Sequence, residues 1–157
     1  MNDRLTRPYN PEETEPRIYQ HWEKGGYFNP DNGANTTGDN FCIVMPPTNA
    51  NGSLHAGHSL VMTIEDIMVR YKRMTGHKTL WLPGLDHAGF ETQVVYEKKL
   101  DKDGRSRFDL KPEELYSEIL NFTLENSKII KSQIKSMGAS CDWSREKFTL
   151  DDDVVRT

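Results

Sequence analysis

Two histidines three positions apart, His55 and His58, are the first residues along the chain whose types and spacing suit a chemical task. They close the run Pro46-Pro47-Thr48-Asn49-Ala50-Asn51-Gly52-Ser53-Leu54-His55-Ala56-Gly57-His58, which lies between an apolar stretch and an amphipathic one. On the opening turn of a helix, residues three apart project to similar sides. Two imidazoles placed there can donate hydrogen bonds to phosphate oxygens. A helix amino terminus adds unpaired backbone N–H groups and the positive end of the helix dipole. Gly57, between the histidines, removes a side chain so that a flat or bulky ligand can approach the backbone, and Gly52 does the same for the loop. Two histidines at this spacing are, by themselves, a weak signal. Zinc would need a third ligand and a fourth position; His87 is a candidate, but no carboxylate spacing completes a metal site.

The elements around this segment must hold it at the edge of a sheet. Phe41–Met45 is a continuous apolar run stopped by Pro46-Pro47, which reads as a buried parallel strand. A helix is predicted from Gly57 or His58 to about Thr75, with Leu60, Ile64, Ile67, Met68, Tyr71 and Met74 as its buried face and Gly76 as its stop. Thr79–Leu82 forms a second short strand, followed by a helix over about Phe90–Leu100 and a long one over Pro112–Met137. Strand, helix, strand, helix in this order is the pattern of a parallel sheet, whose ligands bind at the carboxyl ends of the strands. Ahead of it, residues 1–10 read as a leader, 11–24 as a helix with Ile18, Tyr19 and Trp22 on one face and Pro16 inside, and 29–40 as a loop. The chain therefore divides into 1–40, leader and helix, and 41–157, the sheet-bearing part. The tail is loop-like and ends in the first turn of another helix, which Asp151-Asp152-Asp153 favours. Trp22, Trp81 and Trp143 read as packing anchors.

A length of 157 residues suits one domain. Charged residues at 28% beside hydrophobic ones at 35% fit a folded chain with a charged surface and exclude disorder. A net charge of −4 gives no support for non-specific nucleic-acid binding, which needs clustered Lys and Arg. Cys42 and Cys141 match no metal spacing; Cys42, inside the apolar run, is expected to be a buried free thiol, and a reducing cytosol is the default. No signal-peptide stretch or membrane-length apolar window is present, so a cytoplasmic protein without membrane contact is expected.

The segment from Pro46 to His58 resembles the first signature of the class I aminoacyl-tRNA synthetases, written here as His55-Ala56-Gly57-His58. Leu82-Pro83-Gly84-Leu85-Asp86-His87-Ala88-Gly89-Phe90-Glu91-Thr92-Gln93 resembles the form that valyl enzymes carry at the next strand end. Gly138-Ala139-Ser140-Cys141-Asp142-Trp143-Ser144-Arg145-Glu146-Lys147-Phe148-Thr149 is similar to the segment that precedes the next helix of the same catalytic domain. The resemblance covers the whole chain, least firmly at the leader.

It implies an α/β fold, the first half of a Rossmann-type (HUP-like) parallel-sheet nucleotide-binding domain with flanking helices. It implies ATP-dependent activation of valine and transfer of valine to tRNA(Val), with magnesium arriving on the ATP. His55 and His58 match the signature histidines that bind ATP phosphates and steady the transition state, with Gly57, Asn51 and Gly52 beside them at the nucleotide. Pro46, Pro47 and Asn49 match positions lining the amino-acid pocket, and Asp86 matches the acid that holds the substrate's ammonium. A carboxylate at a strand end is suited to that pairing; the competing reading of Asp86 is a cap for the following helix. His87 reads either as a phosphate ligand or as a packed neighbour.

Departures stand at Thr48, Asn51, Leu85 and Phe90-Glu91, the last pair replacing small apolar residues beside the amino-acid site. The sequence has no Lys-Met-Ser-Lys-Ser-like segment, offers two clear strands, and stops as a helix begins. These features suggest a truncation before the editing insertion, weakly active or inactive alone, with an open strand edge that favours self-association. Two rival readings remain: another nucleotidyltransferase with the same His-x-Gly-His signature, and a non-catalytic binding module descended from a synthetase.

Overall fold

A computed structural model of the chain describes residues 8–33 and 38–156. The leader's first seven residues and part of the 29–40 loop therefore lie outside the described residues. The elements run α1 (Pro11–Lys24), β1 (Asn40–Val44), β2 (Thr48–Asn49), α2 (Ala56–Met74), β3 (Lys78–Leu82), β4 (Gly84–Asp86), α3 (Gly89–Lys102), α4 (Pro112–Ser136), β5 (Lys147–Phe148) and α5 (Asp152–Val155). Pro16 is accommodated inside α1.

All strand pairings are parallel. β1 lies against β3 from Asn40↔Lys78 to Val44↔Leu82. Pro46-Pro47 interrupts the ladder because proline carries no N–H. Met45 N–H still reaches Leu82 O at 2.9 Å, and pairing resumes with β2 on β4 as Thr48↔Leu85 and Asn49↔Asp86. β5 takes the other side of β4, Leu85↔Phe148. Where the sequence offers two clear strands, the described residues form five short ones. β2, β4 and β5 are too short, at two or three residues, to leave an apolar periodicity.

The core gathers Met45, Met62, Val69, Trp81, Leu85, Ile130, Ile134, Ala139 and Cys141 between the sheet, α2 and α4. α4 also packs on α3 through Tyr96 and Phe122, whose rings lie 5.4 Å apart. Tyr19 ties α1 to the segment before β5. Its hydroxyl donates to Ala139 O and accepts from Trp143 Nε1, both at 2.8 Å. Burial raises the Tyr19 pKa well above the ordinary phenol value.

Two sequence expectations are overturned here. β1 is not buried on both faces: Cys42 is exposed and Val44 is 63% exposed. Alternate side chains of a strand point to opposite faces, and among the described residues only the face carrying Phe41 and Ile43 meets the core.

The buried face of α2 is also different. Leu60, Ile64, Ile67, Met68, Tyr71 and Met74 are all exposed, Met74 at 85%. The buried residues of α2 are Met62 and Val69, and polar groups share their side of the helix. Glu65 accepts from Trp81 Nε1 at 3.1 Å, and Asp66 accepts from the Ser140 backbone N–H at 3.0 Å. Arg70 donates to Gly138 O at 2.7 Å and Arg73 to Ser140 O at 2.8 Å. Spacing identifies an apolar stripe, but this network, which closes the polar backbone at Gly138–Ser140, decides which side of the helix turns inward. Burial lowers the Arg73 pKa, with Asp66 the main opposing influence. Among the described residues no helix is long and apolar enough to cross a membrane.

Candidate active site

Asn49 and Asp86 are register partners at the carboxyl ends of β2 and β4. Period-two alternation turns Thr48 and Leu85 inward, where both are buried, and leaves Asn49 and Asp86 facing an open cavity of about 400 Å³. His87, Ala88, Gly89, Phe90 and Glu91 complete its lining.

Asp86 does not cap α3. The N-cap residue is Ala88, whose side chain makes no cap bond, and Asp86 reaches the N–H of Ala88 itself, not those of the helix's first turn. Asp86 instead folds the loop over itself: Oδ1 accepts from the Ala88 N–H at 2.9 Å and from the Thr149 hydroxyl at 3.0 Å. No described group donates to Oδ2. The loop is strained, since Ala88 sits at φ 55°, ψ 16°, a left-handed conformation costing a residue with a Cβ about 1–2 kcal/mol. Thr92 helps hold it, its hydroxyl donating to His87 O at 2.7 Å.

The histidine pair lies at the amino terminus of α2. Its rings stack with centroids 3.8 Å apart, inclined by 24°. His55 Nδ1 accepts from the backbone N–H of Gly57 at 3.1 Å and of His58 at 3.4 Å. His58 Nδ1 accepts in return from the His55 backbone N–H at 3.2 Å. Those backbone donors, expected to be free for an anion, are consumed by the ring nitrogens. A neutral imidazole with an accepting Nδ1 carries its proton on Nε2. Each ring therefore keeps one Nε2–H donor, which takes over the anion-facing role of the backbone. Burial, then the neighbouring His55, lowers the His58 pKa, which favours this neutral form.

Gly57 has a local steric reason. A Cβ there would lie 2.9 Å from the His55 ring, too close for the ring to fold back. A Cβ at Gly52 would meet nothing within 4 Å, so the fold itself does not require glycine at that position. The loop ahead of His55 is held from α4, where Gln133 Oε1 accepts from the Leu54 N–H at 2.9 Å.

The structure thus gathers Asn49 and Asp86 with His87 on one cavity, and His55, Gly57 and His58 on one helix end. His55 and His58 do not line that cavity. Pro46 and Pro47 are exposed past the end of β1, and Asn51 and Gly52 sit in the half-buried turn before α2. A larger groove, about 770 Å³, runs between α1 and the end of α4 and includes none of these residues. Two site residues had no role assigned from sequence. Glu91, noticed there as a departure, accepts from Asn49 Nδ2 at 2.7 Å. Thr149 meets both Asp86 and His87, and a single threonine far along the chain carries no spacing signal. Among the described residues no group of three or more His, Cys, Asp or Glu is arranged to hold a metal ion.

Residues 17–157 match the model of a family described as tRNA synthetases class I (I, L, M and V). The chain belongs to that family. It is 51% identical over 143 residues to a chloroplastic/mitochondrial valine–tRNA ligase of Arabidopsis thaliana, matching 91% of this chain and 14% of that protein. It is 45% identical over 156 residues to a valine–tRNA ligase of Bdellovibrio bacteriovorus, matching 99% of this chain and 17% of that protein. The chain thus spans about one sixth of the length of such relatives. Its fold matches the agnB2 LeuRS of Agrobacterium radiobacter K84, solved in a ternary complex with tRNA and LeuAMS. The TM-score is 0.73 at 20% identity, over 94% of this chain and 17% of that one. The likeness supports the Rossmann-type α/β assignment of the parallel sheet and its helices.

Proposed function

We propose that this chain is the first part of the catalytic domain of a valine–tRNA ligase, the part that receives valine and the phosphates of ATP. The observation that carries this reading is the Asn49–Asp86 pair, which puts a carboxylate oxygen with no described donor at the strand ends. In this reading Asp86 holds the α-ammonium of valine, a charge-assisted contact of about 1.5–3 kcal/mol. Asn49, Pro46 and Pro47 border the rest of the amino acid. The Nε2–H groups of His55 and His58 donate to phosphate oxygens, with Asn51, Gly52 and Gly57 leaving room for the nucleotide.

The valine carboxylate then attacks the α-phosphate, pyrophosphate leaves, and valyl-adenylate forms. Little covalent work is asked of the protein, since positioning and fixed donors lower the barrier. Magnesium belongs to ATP and is held largely by its phosphates. Transfer of valine to tRNA(Val) belongs to the longer protein. The outer edge of β1 has no strand partner among the described residues, which supports self-association of this chain through that edge.

The test is an amide NMR titration of the chain. Valine is expected to shift Asn49, Asp86 and His87, and MgATP to shift His55 through Ser59. Shifts at these residues as large with leucine or isoleucine as with valine, or none with valine, would overturn the valine assignment.

A further inference from the structure

We infer that Thr149 is a positioning residue for the amino-acid site: through one hydroxyl it aims the Asp86 carboxylate and fixes the tautomer of His87. This inference rests on the reading of Asp86 as the group that holds the ammonium.

Thr149 follows β5, and its N–H donates to Leu85 O at 3.1 Å. That bond continues the β4–β5 ladder and sets Thr149 beside Asp86. Its Oγ1 then has three neighbours. The Asp86 Oδ1 lies at 3.0 Å, the His87 backbone nitrogen at 2.9 Å and the His87 Nδ1 at 2.6 Å.

A hydroxyl has one proton and two lone pairs, so the three contacts can be assigned. A carboxylate oxygen cannot donate, so the hydroxyl proton goes to Asp86. The His87 backbone N–H takes one lone pair. The remaining lone pair must accept from Nδ1, which therefore carries the ring proton. If Nδ1 were bare, the hydroxyl would have to donate to it, and the two oxygens 3.0 Å apart would face each other with no proton between them. The 3.5 Å separation of His87 Nδ1 from Asp86 Oδ1 favours a protonated Nδ1 as well. Phe148, packed edge-on with ring centroids 6.5 Å apart, steadies the imidazole.

Two consequences reach the cavity. Asp86 Oδ1 is saturated by Thr149 and Ala88, so Oδ2 is left for the ligand. With the proton on Nδ1, neutral His87 presents the Nε2 lone pair beside Gly89, as an acceptor. A carboxylate oxygen and an imidazole lone pair on one cavity suit an ammonium, which only donates. The histidines thus divide: His55 and His58 keep Nε2 as a donor for phosphate, and His87 keeps Nε2 as an acceptor for the amine.

The experiment is long-range ¹H–¹⁵N NMR of the histidine rings at about pH 8, where an unperturbed imidazole is neutral, joined to a valine titration. It uses the whole chain and its Thr149→Ser and Thr149→Val variants. The wild type and Thr149→Ser should show His87 protonated on Nδ1, and Thr149→Val should move the proton toward Nε2. Valine affinity should fall about tenfold or more in Thr149→Val and stay within about threefold in Thr149→Ser, as expected when one charge-assisted contact loses its alignment. His87 protonated on Nε2 in the wild type would overturn the inference without reference to any variant. So would valine binding by Thr149→Val at the wild-type level. Absence of valine binding in the wild type, with the His87 tautomer as stated, would refute the amino-acid site itself.

Discussion

His55 and His58 cap each other. The Nδ1 of each ring accepts from the other's backbone N–H, and the two rings lie face to face at 3.8 Å. A capping box usually pairs a hydroxyl with a carboxamide or carboxylate. Here two imidazoles close it, so the groups that stabilise the helix end also supply the donors left over for an anion.

His58→Ala should therefore have two effects. Loss of one cap interaction should lower stability by about 1 kcal/mol, seen as a lower thermal midpoint. Loss of one donor should weaken MgATP binding by roughly 10- to 100-fold, the range for a hydrogen bond to a charged partner. Valine binding at the Asn49–Asp86 cavity should be unchanged. Unaltered MgATP titrations would remove His58 from the phosphate site.

The same pair makes stability depend on pH. The His58 pKa lies below the ordinary 6.5 because of burial and its neighbour His55. Above about 6.5 the ring is neutral folded and unfolded, and the cap contributes fully. Below it, the unfolded chain takes up a proton that folded His58 resists, so stability falls until the pH passes the folded value. Thermal melts of the wild type and His58→Asn from pH 8 to pH 5 should show the wild-type advantage shrinking with acid. An advantage that grows instead would refute the neutral cap.

The signature segment was legible in the sequence because its residues stand together. His55, Gly57 and His58 fall at the helix start, where a strand–loop–helix reading puts them, whereas Asn49 and Asp86, read as loop residues past the strand ends, stand in the short strands β2 and β4. The side of α2 facing the core was not legible. Leu60, Ile64, Ile67 and Met68 form the more apolar stripe, yet Met62 and Val69 are buried. Periodicity records what a helix could bury, and the choice was made by Asp66, Arg70 and Arg73 bonding to a loop some seventy residues away. Thr149, present in the sequence only as the end of a similar segment, carried no role there for a related reason: its contacts are made only when β5 aligns with β4.

Gly57 and Gly52 separate a steric requirement from a permissive position. Gly57→Ala should displace the His55 ring and cost about 0.5–2 kcal/mol, the range for a lost helix cap. Gly52→Ala should leave the unfolding free energy within about 0.5 kcal/mol of the wild type, since a Cβ there meets nothing within 4 Å. Equal losses in both would show that the His55 ring does not set the demand at Gly57.

Tyr19→Phe tests the anchoring of α1. The hydroxyl serves both Ala139 O and Trp143 Nε1, and removing it leaves a buried acceptor and a half-buried donor unpaired. The expected loss is about 2 kcal/mol in urea unfolding, with little change in the ring contact to Phe28. A loss under about 0.5 kcal/mol would mean that water replaces the hydroxyl.

Asp86→Asn separates charge from shape at the cavity. The Asn Oδ1 can still accept from Ala88 and from Thr149, so the strained loop should persist and the thermal midpoint should move little. The position of Oδ2 becomes an NH₂, which repels an ammonium instead of accepting from it. Valine affinity should then fall by at least about tenfold, reflecting the loss of a charge-assisted contact of about 1.5–3 kcal/mol. MgATP titrations at His55 and His58 should be unaffected, because those rings do not line this cavity. Glu91, bonded to Asn49, remains in the variant as the cavity's other carboxylate. Glu91→Gln beside Asp86→Asn therefore shows which charge matters. If Glu91→Gln costs most of the valine affinity and Asp86→Asn costs little, the ammonium is held by Glu91, and Asp86 serves only to fold its own loop.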